Sequence, residues 1–206
     1  MDDIILVGAG GHAKSIIDSI EKNNCYRILG FTDIMHVDKY RGYPYLGNDD
    51  ILNKYFEKGV KYAFITLGFL GGASNIRTLL YEKLKNIGYK LPVIIDPSAI
   101  IASDVKIGEG SFIGKGCIVN SAAHVEKMCI INTGAVIEHD NEIGSYSHIS
   151  VNSTLCGNVT VGSYTFIGAN ATIIQGKNIG SKSIIGAGSI ILRDIFPAEK
   201  VYGVVS

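Results

Sequence analysis

From Ile101 to Ile191 every sixth residue is Ile, Val or Leu: Ile101, Ile107, Ile113, Val119, Val125, Ile131, Ile137, Ile143, Ile149, Leu155, Val161, Ile167, Ile173, Ile179, Ile185 and Ile191. Neither the 3.6-residue period of a helix nor the two-residue period of a lone strand produces that register. Two places before each aliphatic the residue is mostly small, as at Ser111, Cys117, Ala123, Cys129, Ala135, Ser147 and Ser153. Glycine recurs one place after it, at 108, 114, 144, 162, 168, 180 and 186. A short strand, a large inward aliphatic, a small inward residue and a tight turn make one side of a three-sided β-solenoid. Three hexads close one coil, and coils stack at about 4.8 Å, the ordinary interstrand spacing. The pattern predicts an all-β parallel β-helix of roughly five coils over residues 96–206.

Residues 1–95 carry a different pattern. Ile4–Val7 is a short apolar run ending in Gly8-Ala9-Gly10-Gly11-His12, after which Ile16, Ile17 and Ile20 mark one helix face. Tyr26–Phe31 predicts a second strand ending at Thr32-Asp33, and Tyr62–Leu67 a third, followed by Gly68-Phe69-Leu70-Gly71-Gly72. A helix with Leu79, Leu80, Leu84 and Ile87 on its apolar face comes next. Strand, glycine turn and helix in alternation predict a small α/β domain of βαβ type. Gly8, Gly10 and Ala13 match the G-x-G-x-x-G/A spacing that sets backbone N–H groups and a helix N-terminus against a pyrophosphate. Asp33, at the end of the second strand, is placed to bind a ribose hydroxyl. A nucleoside diphosphate fits this half-Rossmann unit better than a nicotinamide dinucleotide, which needs two such halves; a purely structural glycine turn is the third reading.

Composition narrows the partners. Nineteen acidic and nineteen basic residues leave no formal net charge, which argues against nucleic acid or an anionic membrane as partner. No run of about twenty apolar residues is present to span a bilayer, and no basic-then-apolar leader opens the chain, so a cytoplasmic location is expected. The four cysteines form no CxxC pair, and Cys117 and Cys129 fall on small inward positions, where a reduced thiol is a compact filler.

Candidate chemistry concentrates in Ile131–Ser150, with two of the five histidines and three carboxylates. His139 lies two places after an inward Ile, hence at a turn with its ring outside, where Asp140 or Glu138 can fix its tautomer as a general base needs. His148, half a coil on, lies near a different edge, so the two converge on one atom only where two subunits meet, most naturally in a threefold assembly. Gly157 stacks one coil above His139 and is expected to leave room and a bare N–H for a bound thioester. The spacings among Cys129, His139, His148 and Cys156 match no common zinc arrangement, and no metal is expected.

The hexapeptide repeat resembles that of the left-handed β-helix acyltransferases. The Gly8-x-Gly10-Gly11-His12-x-Lys14 loop, with Ile137-Glu138-His139-Asp140 and Ser147-His148-Ile149-Ser150, is similar to one subfamily over the entire chain. It comprises bacterial sugar acetyltransferases, among them UDP-4-amino-sugar N-acetyltransferases of bacillosamine synthesis and sialic acid O-acetyltransferases. The resemblance implies a half-Rossmann domain followed by a left-handed β-helix, a homotrimer, and acetyl-CoA as co-substrate with no metal. It implies His139 as general base tuned by Asp140, His148 near the acetyl group, and Gly157, Ala169 and Ala187 along the coenzyme. It implies Gly10, Gly11 and His12 at the nucleotide, Asp33 toward uracil or ribose, and Asn132 near the sugar. The expected reaction is acetyl transfer to the amine of a nucleotide-linked sugar such as a UDP-4-amino-4,6-dideoxy sugar. O-acetylation of a sialic or related nonulosonic acid, and a non-catalytic trimeric scaffold, are the alternatives. Three departures are Ile34, where relatives often carry a second acid, the Gly68–Ser74 loop, which looks longer than in the bacillosamine enzymes, and the tail Val201–Ser206, which lacks the usual Gly-Val-Pro-Ala ending.

Overall fold

The structure, a computed structural model, describes residues 1–36, 38–72 and 75–206, so the last two residues of the Gly68–Ser74 loop lie outside the described ones. The chain folds as two compact units, one of Met1–Gly68 and Ser74–Ile94, the other of Phe69–Ala73 and Ile95–Ser206.

In the first unit, β1 (Asp2–Val7) pairs in parallel with β2 (Tyr26–Thr32) on one side and β5 (Tyr62–Ile65) on the other. Ile4, Ile5, Leu6 and Val7 are all buried, as a central strand covered on both faces requires. Helix α1 (Gly11–Asn23) buries Ile16, Ile17 and Ile20, and ends on Asn24 in the left-handed conformation. Two short strands outside the strand–turn–helix pattern of the sequence extend the sheet: β3 (Lys39–Tyr40) and β4 (Tyr43–Gly47), giving the order β3-β4-β2-β1-β5. They form a hairpin closed by Arg41 and Gly42, both at positive φ, the two-residue turn whose twist matches its strands. Helix α2 (Leu52–Glu57) precedes β5, and α3 (Ile76–Ile87) follows it. In α3, Leu80 and Leu84 are buried, but Leu79 is half exposed, because its neighbour Leu80 takes the inward direction about 100° away.

The second unit is a left-handed parallel β-helix whose sides are sheets of seven, five and seven two-residue strands. Rungs pair with the residue 18 places on, as Ile118 with Val136 and Ile131 with Ile149, until the last coil, where Ile184 pairs with Lys200 and Ile190 with Val204. Both inward series are buried: the aliphatics from Ile113 to Ile191 and the small residues from Ser111 to Ser189. The stack begins at β6 (Ile94–Ile95), one hexad before Ile101, and the tail belongs to it, Lys200–Val201 and Val204–Val205 adding a strand to two of the sheets.

The turns differ from the sequence expectation in an instructive way. Left-handed backbone falls three places after each aliphatic from Ile107 to Ile185, at Gly110, Gly116, Gly134, Asp140, Asn152, Asn158 and Asn170 among others, not one place after it. The glycines one place after the aliphatic have a different reason. A Cβ on Gly168 would sit 2.5 Å from the backbone N of Ala187 in the next coil, and Gly108 and Gly162 are equally crowded. They let adjacent coils approach. An inward hydroxyl or thiol then fastens each coil to the next by donating to the carbonyl fifteen places on, as Ser147 Oγ to Gly162 O at 2.9 Å and Thr165 Oγ1 to Gly180 O at 3.0 Å.

Candidate active site

In the first unit the chemistry gathers at the C-terminal edge of the sheet, where open α/β sheets bind ligands. Gly8 turns the chain at φ +105°, and a Cβ there would lie 2.7 Å from Leu67 Cδ2, so the position requires glycine. Gly10 caps α1 and Gly11 opens it, and a Cβ on either would meet nothing within 4 Å. The helix N-terminus carries no acidic residue in its first turn, and its N–H groups and dipole suit a phosphate, with His12 beside them. Tyr40 supports this loop, its hydroxyl donating to Gly10 O at 2.7 Å.

Asp33 has partners within the protein that the sequence did not mark. Its Oδ2 accepts the Ala9 N–H at 2.8 Å and its Oδ1 the Met35 N–H at 3.1 Å. One oxygen therefore buttresses the glycine loop and the other closes a turn, and each keeps a second lone pair for a further donor. The adjoining cavity of about 180 Å³ is lined by Gly8, Asp33, Ile34, Asp49, Leu67 and Ile76. Asp49, which no motif marks, takes the Thr32 hydroxyl proton at 2.6 Å.

In the second unit, the hexad pattern puts residues 138–141 at the edge between the strands Val136–Ile137 and Glu142–Ile143. Asp140 has φ +60°, a conformation short polar side chains tolerate, and this reversal swings its carboxylate back to its neighbour. Asp140 Oδ2 lies 2.7 Å from His139 Nδ1, with both side chains more than half exposed. With Nδ1–H donating to the carboxylate, Nε2 keeps its lone pair and can accept a proton. Gly157 does stack one coil above, but the space over it is not open for a thioester. The imidazole occupies it: a Cβ on Gly157 would lie 2.6 Å from both Cε1 and Nε2 of His139, and the glycine is buried.

His148 also differs from expectation. It is 5% exposed, on the outward side of the strand His148–Ile149. Its Nδ1 donates to Phe69 O, its Nε2 accepts from Asn132 Nδ2 at 3.1 Å, and its ring meets Phe166 edge to face. Asn132 is oriented by the Thr133 N–H, which donates to its Oδ1 at 2.8 Å. With one nitrogen donating and the other accepting, both ring nitrogens of His148 are engaged within the protein. It anchors Phe69, 79 residues earlier, on the solenoid face. Gly71 packs there too, where a Cβ would lie 2.9 Å from Ile184. Only the glycine-rich composition of Gly68–Gly72 hinted at a special role, and nothing in it pointed to His148.

The edge with His139 is opposite the face with His148, since the strands flanking residues 138–141 belong to the other two sheets. Ala169 and Ala187 stack at a third location, the next edge, with Gly188 N–H donating to Ala169 O at 2.8 Å. Two of the thiols, Cys117 and Cys129, are buried at inward positions of the solenoid. Burial pushes Cys117 up to about 11, and its S–H donates to Asn132 O at 2.9 Å, so it is no candidate acyl carrier. Among the described residues no group of three or more His, Cys, Asp or Glu side chains is gathered as a metal site. Among the described residues no helix is long and apolar enough to cross a membrane.

Known proteins share both units. Residues 3–84 match the family model of the PglD N-terminal domain, and residues 104–139 and 158–193 match the hexapeptide repeat of succinyl-transferase. PerB from Caulobacter crescentus, solved with CoA and GDP-perosamine, is 32% identical over 98% of this chain and 95% of its own, with a TM-score of 0.92. A mutant of the GDP-perosamine N-acetyltransferase from the same organism, with the same ligands, is 30% identical over 98% and 94%, at 0.93. The acetyltransferase domain of PglB from Neisseria gonorrhoeae, solved with acetyl coenzyme A, is 28% identical over 98% and 96%, at 0.90. With the glycine loop, the eighteen-residue coil and the His139–Asp140 edge in one chain, the likeness is one of family, and this protein belongs to the hexapeptide-repeat sugar acetyltransferases that carry a PglD-type N-terminal domain.

Proposed function

We propose that the protein transfers the acetyl group of acetyl-CoA directly to the amine of a nucleotide-linked amino sugar, with His139 as general base. The observation that carries the assignment is the His139–Asp140 pair, whose 2.7 Å bond through Nδ1 leaves Nε2 to take a proton. The neutral sugar amine attacks the thioester carbonyl, and its proton passes to Nε2. The tetrahedral intermediate then collapses with cleavage of the C–S bond, and the CoA thiolate leaves to be protonated. The buried Cys117 and Cys129 thiols favour this direct route over an acyl-enzyme. The domain spanning residues 1–95 supplies the nucleotide site at Gly10, Gly11, His12 and Asp33, and the β-helix of residues 96–206 supplies the base. The small Ala169 and Ala187 leave the next edge low enough for the coenzyme. The relatives solved with GDP-perosamine support an N-acetylated nucleotide sugar. Released CoA thiol is the readout: turnover of acetyl-CoA is expected with at least one of the UDP-, GDP- and dTDP-linked 4-amino sugars and none with free sialic acid. The reverse preference would overturn the N-acetyl assignment.

A homotrimer completes the proposal. One solenoid face presents Ile100, Ile118, Val136, Thr154, Thr172, Ile190 and Val204 outward with no charge among them, whereas another presents Lys106, His124, Glu142, Thr160 and Asn178. The uncharged face adjoins both the His139 edge and the Ala169–Ala187 edge, so burying it against a second copy joins the two kinds of edge at one seam. Light scattering is expected to report about three times 22.1 kDa. Ile118→Lys, which sets a charge in that face, is expected to lower the mass and the turnover together. A monomeric wild-type protein with full activity would remove the trimer.

A further inference from the structure

The inward position two places before Ile143 breaks the small-residue rule, because it holds Asn141, fully buried next to the His139–Asp140 pair. Its stack neighbours one coil below and above are the apolar Ala123 and Val159, both buried. Its amide makes two strong donations: Nδ2 to Glu138 O at 2.6 Å and to Cys156 O at 3.0 Å. Those carbonyls belong to the residues just before His139 and just before Gly157, which lie one above the other. The amide oxygen, by contrast, has no hydrogen-bond partner among the described residues. A serine here, as at 147 or 153, would leave no such acceptor stranded. What asparagine adds is a second proton, so that it holds the carbonyls of both coils at once.

Resting on the reading of His139 as base, we propose that Asn141 is a positioning residue for it: the buried amide locks the His139 peptide against the Gly157 peptide, and so keeps the imidazole seated over the glycine. Other inward donors fasten coil to coil in the same n to n+15 manner, but none of them neighbours the His139–Asp140 turn. The stranded oxygen is the mark of a site selected for geometry, since apolar Val159 fills the same position in the following coil without a donor.

Asn141→Val tests this, because valine is already accommodated at the equivalent place and the change removes the orphan acceptor together with the donor. Acetyl-CoA turnover is followed with GDP-perosamine and with a UDP-4-amino-4,6-dideoxy sugar, alongside thermal unfolding. The expected result is a kcat about 10–100-fold lower, with the KM for acetyl-CoA within about threefold and Tm kept or raised. Asn141→Ser, which keeps one proton for Cys156 O, should lose less. Thr165→Val, which removes a coil-to-coil bond away from the His139 edge, should keep its kcat. Unchanged turnover in Asn141→Val, or an equal loss in Thr165→Val, would overturn the proposal and make Asn141 an ordinary rung. Full turnover in His139→Ala, or a wild-type protein inactive with every acceptor, would instead strike the reading beneath it.

Discussion

His139→Ala is expected to lower kcat by about 10²–10⁴-fold while nucleotide-sugar affinity stays within a few fold. The magnitude is that of a general base, whose interaction with the amine proton develops in the transition state and contributes little to ground-state binding. The other histidines do not offer a substitute. His148 is sealed under Phe69 with both nitrogens engaged. His124 projects from the polar face beside Glu142, and His36 pairs with Asp38 in an exposed segment of the first unit. Steady-state kinetics for turnover and calorimetric titration of the nucleotide sugar separate the two parameters. A variant with wild-type kcat would remove His139 from the chemistry, and one that had lost nucleotide affinity would make it a binding residue.

The repeating coils and the alternating strands and helices of the first unit were legible in the sequence, and single contacts between distant residues were not. A period of six and its multiple of 18 are enough to place Gly157 over His139, because stacked coils obey translation and each residue inherits its neighbour from arithmetic. A carboxylate partner for His139 followed from adjacency once a turn was required there, but the choice of Asp140 over Glu138 came from the positive φ of Asp140. What occupies the room above Gly157 did not follow, since pattern reports position and not which side chain folds over whom. The bond between His148 and Phe69 spans 79 residues and has no periodic signature, so nothing in the sequence marked it. Asp33 stood where a ribose ligand belongs, but the Ala9 N–H in the turn beside it had claims on the same carboxylate. The hairpin at Lys39–Gly47 was hidden because its turn is Arg41-Gly42 rather than a residue pair that signals positive φ strongly.

Gly157→Ala is expected to leave the fold intact and to reduce kcat about 10²-fold. The backbone of Gly157 is not in the left-handed region, so alanine meets no conformational penalty there. Its Cβ would stand 2.6 Å from Cε1 and Nε2 of His139, closer than carbon and nitrogen atoms approach without bonding. The ring is the far end of a side chain on an exposed edge and yields before the coil does, lifting Nε2 away from its seat. Tm should therefore stay within a few degrees of wild type while turnover falls, with acetyl-CoA KM little affected. The double variant distinguishes the cause. In a His139→Ala background the new methyl has the vacated space, so adding Gly157→Ala should bring no further loss, and the two changes should be strongly non-additive. Additive losses would mean that the glycine acts on the coenzyme in its own right, and that the imidazole does not owe its position to the absent side chain beneath it.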